Sequence, residues 1–592
     1  MDYELKRRSF LINRAVDKFL LASVFSAVAT QLTVMADAII VANFVGPDAM
    51  SAINVCTPVI AILVNVGYTV SMGSTLLMSK ALGEGRKEHG SHVAAVAAAL
   101  LACGGLVLAL TGGAMSESLV AMMCSDEAIS AYATKYLRLF FLLDLLPLFA
   151  YNAVCGFVEA DGSPSVVTRT VIIGGAANVL LDLLFVAVFH WGISGAMYAT
   201  VMSNLVVVAI LCRHLYRHSN LHFSFPHAGL RRIAKEITAE GIPLTGGEMV
   251  LMVGLLVLNG VIIYSLGSSG MFIWSVCMEI LNLVLIAMSG VETSMISIGG
   301  FLVGDEDTNG LRLLVRHVLQ ALCPPLTLLM LLILAVPQWV ALLFGAHDAT
   351  GVETLSEALR IFSLSIVPLA VIYIMRVVFQ LLGHRFASGT MFICQTLLLD
   401  AIIGAAALLC PAHVWWAFPL ASLLLIAMQL AYTGWEHHRD SRLSALTLIP
   451  EADSSRSLDF SVPYQTAALD ETLSRVSSLI KRNGQWQHKA ADVRLTCEEI
   501  MKNIIEHSEG RILKRCFDVH LHIAADKVIL VVKDAGEKFN PMEHLPQADA
   551  EPDYDHLGLR LIHGACDHLS YLYMWGQNIM TGIFYDNLTI DN

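Results

Sequence analysis

The stretch QLTVMADAIIVANFVGPDAM, residues 31–50, decides the fold, because Asp37 stands in a run otherwise suited to the hydrocarbon of a bilayer. A charged group at the centre of a membrane helix costs about 2.5–3.5 kcal/mol on insertion scales, so its presence asks for a role. Outward from this run the same apolar text recurs. The expected spans are 16–44, 48–80, 92–113, 131–158, 163–188, 192–215, 241–266, 270–303, 313–335, 355–383, 386–409 and 413–435. These roughly twelve segments are mostly about 20 residues or longer, as ~30 Å of hydrocarbon requires. The chain of 592 residues is 56% hydrophobic and 15% charged, with a mean hydropathy of +0.64. That composition marks a polytopic α-helical membrane protein and excludes an ordinary soluble enzyme. The opening segment has a basic lead but an apolar core too long for a signal peptide, and it reads as the first membrane helix.

Charge is placed unevenly. Lys and Arg gather in ELKRRS, SKALGEGRKEHG, CRHLYRHSN, LRRIAKE, LRLLVRH and LGHRFASG, while the alternate connections carry none. Lys135, Arg138 and Arg360 are exceptions. The bias places both termini in the cytoplasm, and the expected location is the inner (plasma) membrane. The net charge of −13 says little about nucleic acid, but the acidic tail argues against it, and no nucleic-acid partner is expected. The 12 cysteines form no CxxC or Cys/His metal spacing and read as small packing residues.

The halves repeat. GPDAMSAINVC, from Gly46, aligns with GSSGMFIWSVC, from Gly267, and the same offset takes Cys56 to Cys277 and Gly83 to Gly304. YLRLFFLLDLLP (136–147) answers ALRIFSLSIVP (358–368), and NVLLDLLFV (178–186) echoes QTLLLDAII (395–403). Six helices duplicated in parallel topology are a transporter architecture, with an N-lobe at about 10–215 and a C-lobe at about 241–436. Pro147 and Pro368 are expected to bend helices.

The text MADAIIVANFVGPDAMSAINVCTPVI, GYTVSMGSTLLMSKALGEG, ADGSP and ANVLLDLLFV resembles the multidrug and toxic compound extrusion (MATE) family over about residues 10–436, within an expected transporter domain at 1–436. The resemblance implies a cation-coupled antiporter, driven by H⁺ or Na⁺, that exports small organic and often cationic compounds by alternating access. It also implies an ion-coupling site at Asp37, Asn178 and Asp182. Asn178 and Asp182 stand four apart, so they share a helix face. Clustered acids in a low dielectric can bind and release a proton or cation; the competing reading gives them buried structural hydrogen bonds. Asn152, Tyr136 and Thr200 are further pocket candidates. In the C-terminal half Glu248, Glu279, Glu292 and Asp400 are intramembrane acids, candidates for ion or substrate contact or for bonds between helices.

After Trp435 the composition turns polar. Residues 437–457 read as a Ser-rich linker and 458–592 as a mixed α+β sandwich. Here ADVRLTCEEIMKNIIEHS has the spacing of an amphipathic helix, FDVHLHIAA and KVILVVKDAG alternate as strands, and HLGLRLIHGACDHLSYLY reads as a loop passing into a helix. The tail resembles GHKL-type ATP-binding (HATPase) domains, closest to anti-sigma-factor serine kinases. The resemblance implies Glu499 as catalytic base and Asn503 as the Mg²⁺ ligand in ExxxN, with His507 following. It implies Asp534 on the adenine amino group, Gly536 allowing close approach of the backbone, and Gly558 facing phosphate at a helix N-terminus. GQN (576–578) resembles the closing motif. His556 departs from the glycine common there, and no phosphoacceptor His box precedes the domain.

The expectation is an ion-coupled exporter whose cofactors are the coupling ion and, in the tail, ATP with Mg²⁺. Its partners are a small-molecule substrate, the bilayer and a regulatory protein meeting the tail. The tail lacks a GxxxxGK[ST] loop, so ATP is not expected to power transport directly. Two alternatives stay open: a lipid-linked precursor flippase of the same superfamily, and a membrane sensor with a serine/threonine protein kinase tail.

Overall fold

The computed structural model describes residues 10–586 except 124–126, 222, 227, 345–348, 452, 507–515, 541–561 and 563. The first half runs α1 (Phe10–Phe44), α2 (Pro47–Gly83), α3 (Lys87–Met123), α4 (Glu127–Leu139), a π-helical segment Phe140–Asp144, α5 (Leu145–Ala160), α6 (Pro164–Asp182), a second π segment Leu183–Val188, and α7 (Ile193–His218). The second half runs α8 (Leu230–Gly304), α9 (Thr308–Ala335), α10 (Pro337–Leu343), α11 (Ala349–Ser363), α12 (Ile366–Leu381), α13 (Arg385–Leu409) and α14 (Ala417–Arg439). Among the described residues eleven helices are long and apolar enough to cross a membrane. The expected span 241–266 is the first arm of α8, which breaks at Gly267, where φ is 68° and ψ −164°. A side chain would strain that conformation, so the glycine sets the corner.

The repeat read from the sequence has a physical counterpart. Pro147 lies just past the π segment within a continuous helix, and Pro368 sits in the first turn of α12, after the turn at Leu364–Ser365. Proline is tolerated there because the first-turn N–H has no helical partner. Gly83 and Gly304 are used reciprocally. A Cβ on Gly83 would lie 2.0 Å from the Phe301 carbonyl, and one on Gly304 would lie 2.1 Å from the Lys80 carbonyl. Deeper in, Gly241 meets the Thr69 carbonyl and Gly73 the Ile237 carbonyl in the same manner. Helices α2 and α8 therefore cross backbone to backbone, one from each half, and close the bundle at one end. Small residues permit this approach in membranes.

The tail contributes β1 (Ser457–Pro463), α15 (Leu469–Arg482), α16 (Ala490–Glu506), β2 (Cys516–Ile523), β3 (Lys527–Asp534), β4 (His568–Met574) and β5 (Gln577–Tyr585). The strands form one antiparallel sheet ordered β1-β2-β3-β5-β4, with Lys533 opposite Ile579 and Asp534 opposite Asn578. Successive strand residues alternate faces. Val519, Leu521, Val528, Leu530, Val532 and Phe584 pack with α15 and α16 in the tail's own core. Ile529, Val531, Leu572, Met574, Trp575 and Ile579 instead join the core of the membrane helices. The second face of the sheet is thus seated on the closed end of the bundle.

One expectation for the tail is corrected. Residues 568–574 form strand β4, not a helix: Leu569, Tyr571 and Tyr573 alternate onto the tail's core, and the Trp575–Gly576 turn returns the chain into β5. Both turn residues have positive φ, as the tightest hairpins need. The linker also folds back. Leu443 pairs with Pro450, and Leu448 and Ile449 are fully buried against the membrane helices. The LTLI quartet carries enough apolar surface to override its polar neighbours.

Candidate functional site

In the N-lobe, Asp37 on α1 and Asp182 on α6 lie close enough to act on one another electrostatically. Tyr136 lies near both and near Asp144. Asp182 is fully buried, and among the described residues its carboxyl oxygens and Asp37 Oδ1 meet no donor outside the pair itself. Each π segment adjoins an acid, one ending at Asp144 and the other following Asp182. Such bulges are frequent at functional sites because they redirect side chains within a helix. Asn178 is buried one turn before Asp182 on α6. The structure adds Asp144, whose Oδ1 accepts from Asn204 Nδ2 at 2.9 Å. The sequence signal for Asp144 was an acid inside YLRLFFLLDLLP; for Asn204 there was none.

The other candidates separate. Asn152 lines a polar cavity of about 170 Å³ between the halves, with Tyr68, Ser71, Thr75, Glu159 and Thr293. Its side-chain nitrogen is buried without a partner among the described residues, while its backbone carbonyl accepts from Ser71 Oγ at 2.7 Å. Glu159 was missed although it stands beside the ADGSP motif. Thr200 bonds its own helix, donating to the Ala196 carbonyl, and Glu279 is exposed on α8. In the C-lobe the buried Arg376 donates to Glu292 Oε1 at 2.9 Å and stacks on Tyr373 and Phe392. Tyr373 donates to the other Glu292 oxygen. Asn65 Nδ2 donates to Glu248 Oε2 at 2.6 Å across the two halves. Asp400 Oδ2 is buried without a partner among the described residues and would lie 2.0 Å from a Cβ on Gly254. The C-lobe acid Glu292 is therefore neutralised by Arg376, whereas the N-lobe pair has no such cation among the described residues.

In the tail, Glu499 and Asn503 lie one turn apart on α16, which crosses β3 and β5. Glu499 has Lys502 at 3.4 Å. Asp534 is buried and accepts from the Gly536 N–H at 2.7 Å and from Asn578 Nδ2 at 3.2 Å. Burial pushes the Asp534 carboxyl up from its ordinary value, and those two donors hold it back. Asn578 is a hub: its Oδ1 accepts from Tyr571 and from the Phe539 N–H, and its amide also donates to the Glu537 carbonyl. His507 and Gly558 lie outside the described residues. An Asn amide on α16 and an Asp with a nearby Gly backbone on β3 fit the donor set for magnesium nucleotide. Elsewhere, ligand atoms of Asp307, Asp459 and His520 lie within 4.8 Å of one another. Lys533 Nζ stands 2.6 Å from Asp305 and 3.4 Å from Asp307, so an ammonium already supplies the cation there.

The MatE family model matches residues 22–184, and the model described as a histidine kinase-like ATPase domain matches residues 462–579. The chain is 24% identical over 225 residues to the probable multidrug resistance protein YpnP of Bacillus subtilis, a match covering 36% of this chain and 50% of that protein. It is 23% identical over 216 residues to the multidrug export protein MepA of Staphylococcus haemolyticus, covering 36% and 46% respectively. The matched stretch thus spans about half the length of these curated relatives. An outward-facing multidrug resistance MATE transporter of the MOP superfamily aligns with a TM-score of 0.66 at 20% identity, over 74% of this chain and 99% of that one. A MOP superfamily transporter from Pyrococcus furiosus aligns at 0.65 and 20%, over 74% and 99%. The chain thus carries a segment that matches the MatE model, a helical bundle with the fold of those solved transporters, and a C-terminal segment that matches the histidine kinase-like ATPase model.

Proposed function

We propose that residues 1–436 form an antiporter that exports small organic compounds, cationic ones among them, in exchange for H⁺ or Na⁺. The observation that carries this reading is the buried Asp37–Asp182 pair, which has no compensating Lys or Arg among the described residues. Glu292, by contrast, is neutralised by Arg376. An acid pair left unpaired can instead take up and give back a cation as the lobes change access. Inward movement of one positive charge at 100 mV supplies about 2.3 kcal/mol. The likeness to YpnP, a probable multidrug resistance protein, and to MepA, a multidrug export protein, supports drugs as the cargo class.

In this reading both termini are cytoplasmic and the membrane is the plasma membrane. Residues 437–457 connect to a tail, 458–592, that binds ATP with Mg²⁺ at Asn503 and regulates the exporter. The test is dye export from vesicles holding Asp37→Asn or Asp182→Asn protein. Each should lose gradient-driven export while folding normally; full export by both variants would defeat the reading.

A further inference from the structure

We propose that the tail's sheet is a clamp on the gate at its own end of the membrane bundle, holding the two lobes together while docked and letting them part when released. This rests on the reading above that the lobes alternate access. The sheet grips both lobes. On the first, Gln577 Nε2 donates to the Leu11 carbonyl at 2.7 Å, the Trp575 N–H to the Gly162 carbonyl at 3.0 Å, and Lys87 Nζ to the Tyr571 carbonyl. On the second, Lys533 bridges Asp305 and Asp307, His522 meets Glu306 at 2.8 Å, and Asn309 Nδ2 donates to Asp459 Oδ2 at 2.6 Å. One hydrogen-bonded sheet tied to two bodies resists their separation.

These anchors sit at the gate itself. Asp305 directly follows Gly304, and Gly85, whose carbonyl lies 3.1 Å from His568 Nε2, stands two residues after Gly83. Phe301, whose carbonyl abuts Gly83, has its ring met edge-on by Trp575 at 5.4 Å and approached by Lys533 Nζ at 5.3 Å. The β4–β5 turn is therefore a wedge beneath the helix crossing. The interface is also suited to release. Lys533, Asp305 and Asp307 are almost fully buried, but on undocking each would return to water, so separation leaves no charge stranded in an apolar core.

The clamp also backs onto the nucleotide site. Lys533 and Asp534 are neighbours on β3, and Gln577 and Asn578 are neighbours on β5. In each pair the first residue faces the membrane helices and the second bonds within the candidate adenine site. A ligand that reorganises Asp534 and Asn578 acts on the same two strands that hold the lobes.

The test uses full-length protein with spin labels at Arg217→Cys on α7 and Arg439→Cys on α14, in a background where all 12 native cysteines are replaced by alanine or serine. Pulsed dipolar spectroscopy reads the lobe separation at the tail end. The docked protein should give one short distance. Lys533→Glu and Trp575→Ala should each add a longer one, and the swap Lys533→Asp with Asp305→Lys should restore the short one. In Trp575→Ala protein, a short bifunctional thiol reagent joining Asn309→Cys to Asp459→Cys should abolish the longer distance. Unchanged distances in both releasing variants, or lobe opening that persists in the joined protein, would overturn the clamp. Distances report the gate whether or not any compound is exported, so failure of ion-coupled export would strike the transport reading alone.

Discussion

Lys533 of the tail and Asp305 of the membrane bundle are joined at 2.6 Å across 228 residues of sequence, with both side chains almost fully buried. Removing one partner of such a pair costs on the order of 3–5 kcal/mol when the other stays buried. Lys533→Ala should therefore favour undocking, which rehydrates Asp305 and Asp307. Hydrogen exchange should rise in β2 and β3 but much less in α3 or α12. Unchanged exchange in β2 and β3 would contradict the assigned weight of the pair.

The reciprocal glycines give a second prediction. A methyl group at Gly83 or Gly304 meets a carbonyl at about half the distance van der Waals contact allows, so Gly83→Ala and Gly304→Ala should each destabilise the closed end by about 1–3 kcal/mol. Gly434→Ala, with nothing within 4 Å of its Cβ, should be neutral or slightly stabilising. Thermal unfolding in detergent compares the three, and equal midpoints would refute the packing argument.

His520 gives the interface a pH dependence. Burial alone would lower its pKa, but Asp307, Asp459 and Asp305 together raise it above the ordinary 6.5, with Lys533 and the stacked His522 also nearby. A raised value in the docked state means that protonated His520 favours docking. That contribution is complete below about pH 6.5 and is lost as pH rises through the docked-state value. Proteolysis of the tail should accelerate with rising pH in that window. His520→Gln should flatten the profile, and an unchanged profile in that variant would exclude His520 as the source.

For the nucleotide site, Asn503→Ala and Asp534→Ala should each weaken magnesium-ATP binding at least about tenfold, near 1.4 kcal/mol. Glu499→Gln should leave binding nearly unchanged, since a general base acts on turnover. Titration calorimetry on the full chain measures this, and unaltered affinity in Asn503→Ala would remove the metal assignment.

The sequence disclosed much of this fold because its signals were periodic. Apolar runs of membrane length revealed the helices, and VHLHI and VILVV alternate as strands do. Other features were hidden for physical reasons. His520, His522 and Lys533 alternate as a solvated face would, yet they are covered by membrane helices far away in sequence, which no local pattern can announce. Residues 568–574 follow an apolar LRLI run, and helical and strand spacings overlap over so few positions. Asp37 and Asp182 stood out as lone acids in lipid-spanning text. Asn204 and Arg376 acquire meaning only through the acids they meet on neighbouring helices.

The most direct measurement is dye export by purified protein in liposomes with the proton and sodium gradients set independently. Export should follow at least one gradient, persist without ATP, and vanish in Asp37→Asn protein. Equal export with both gradients collapsed would contradict the account.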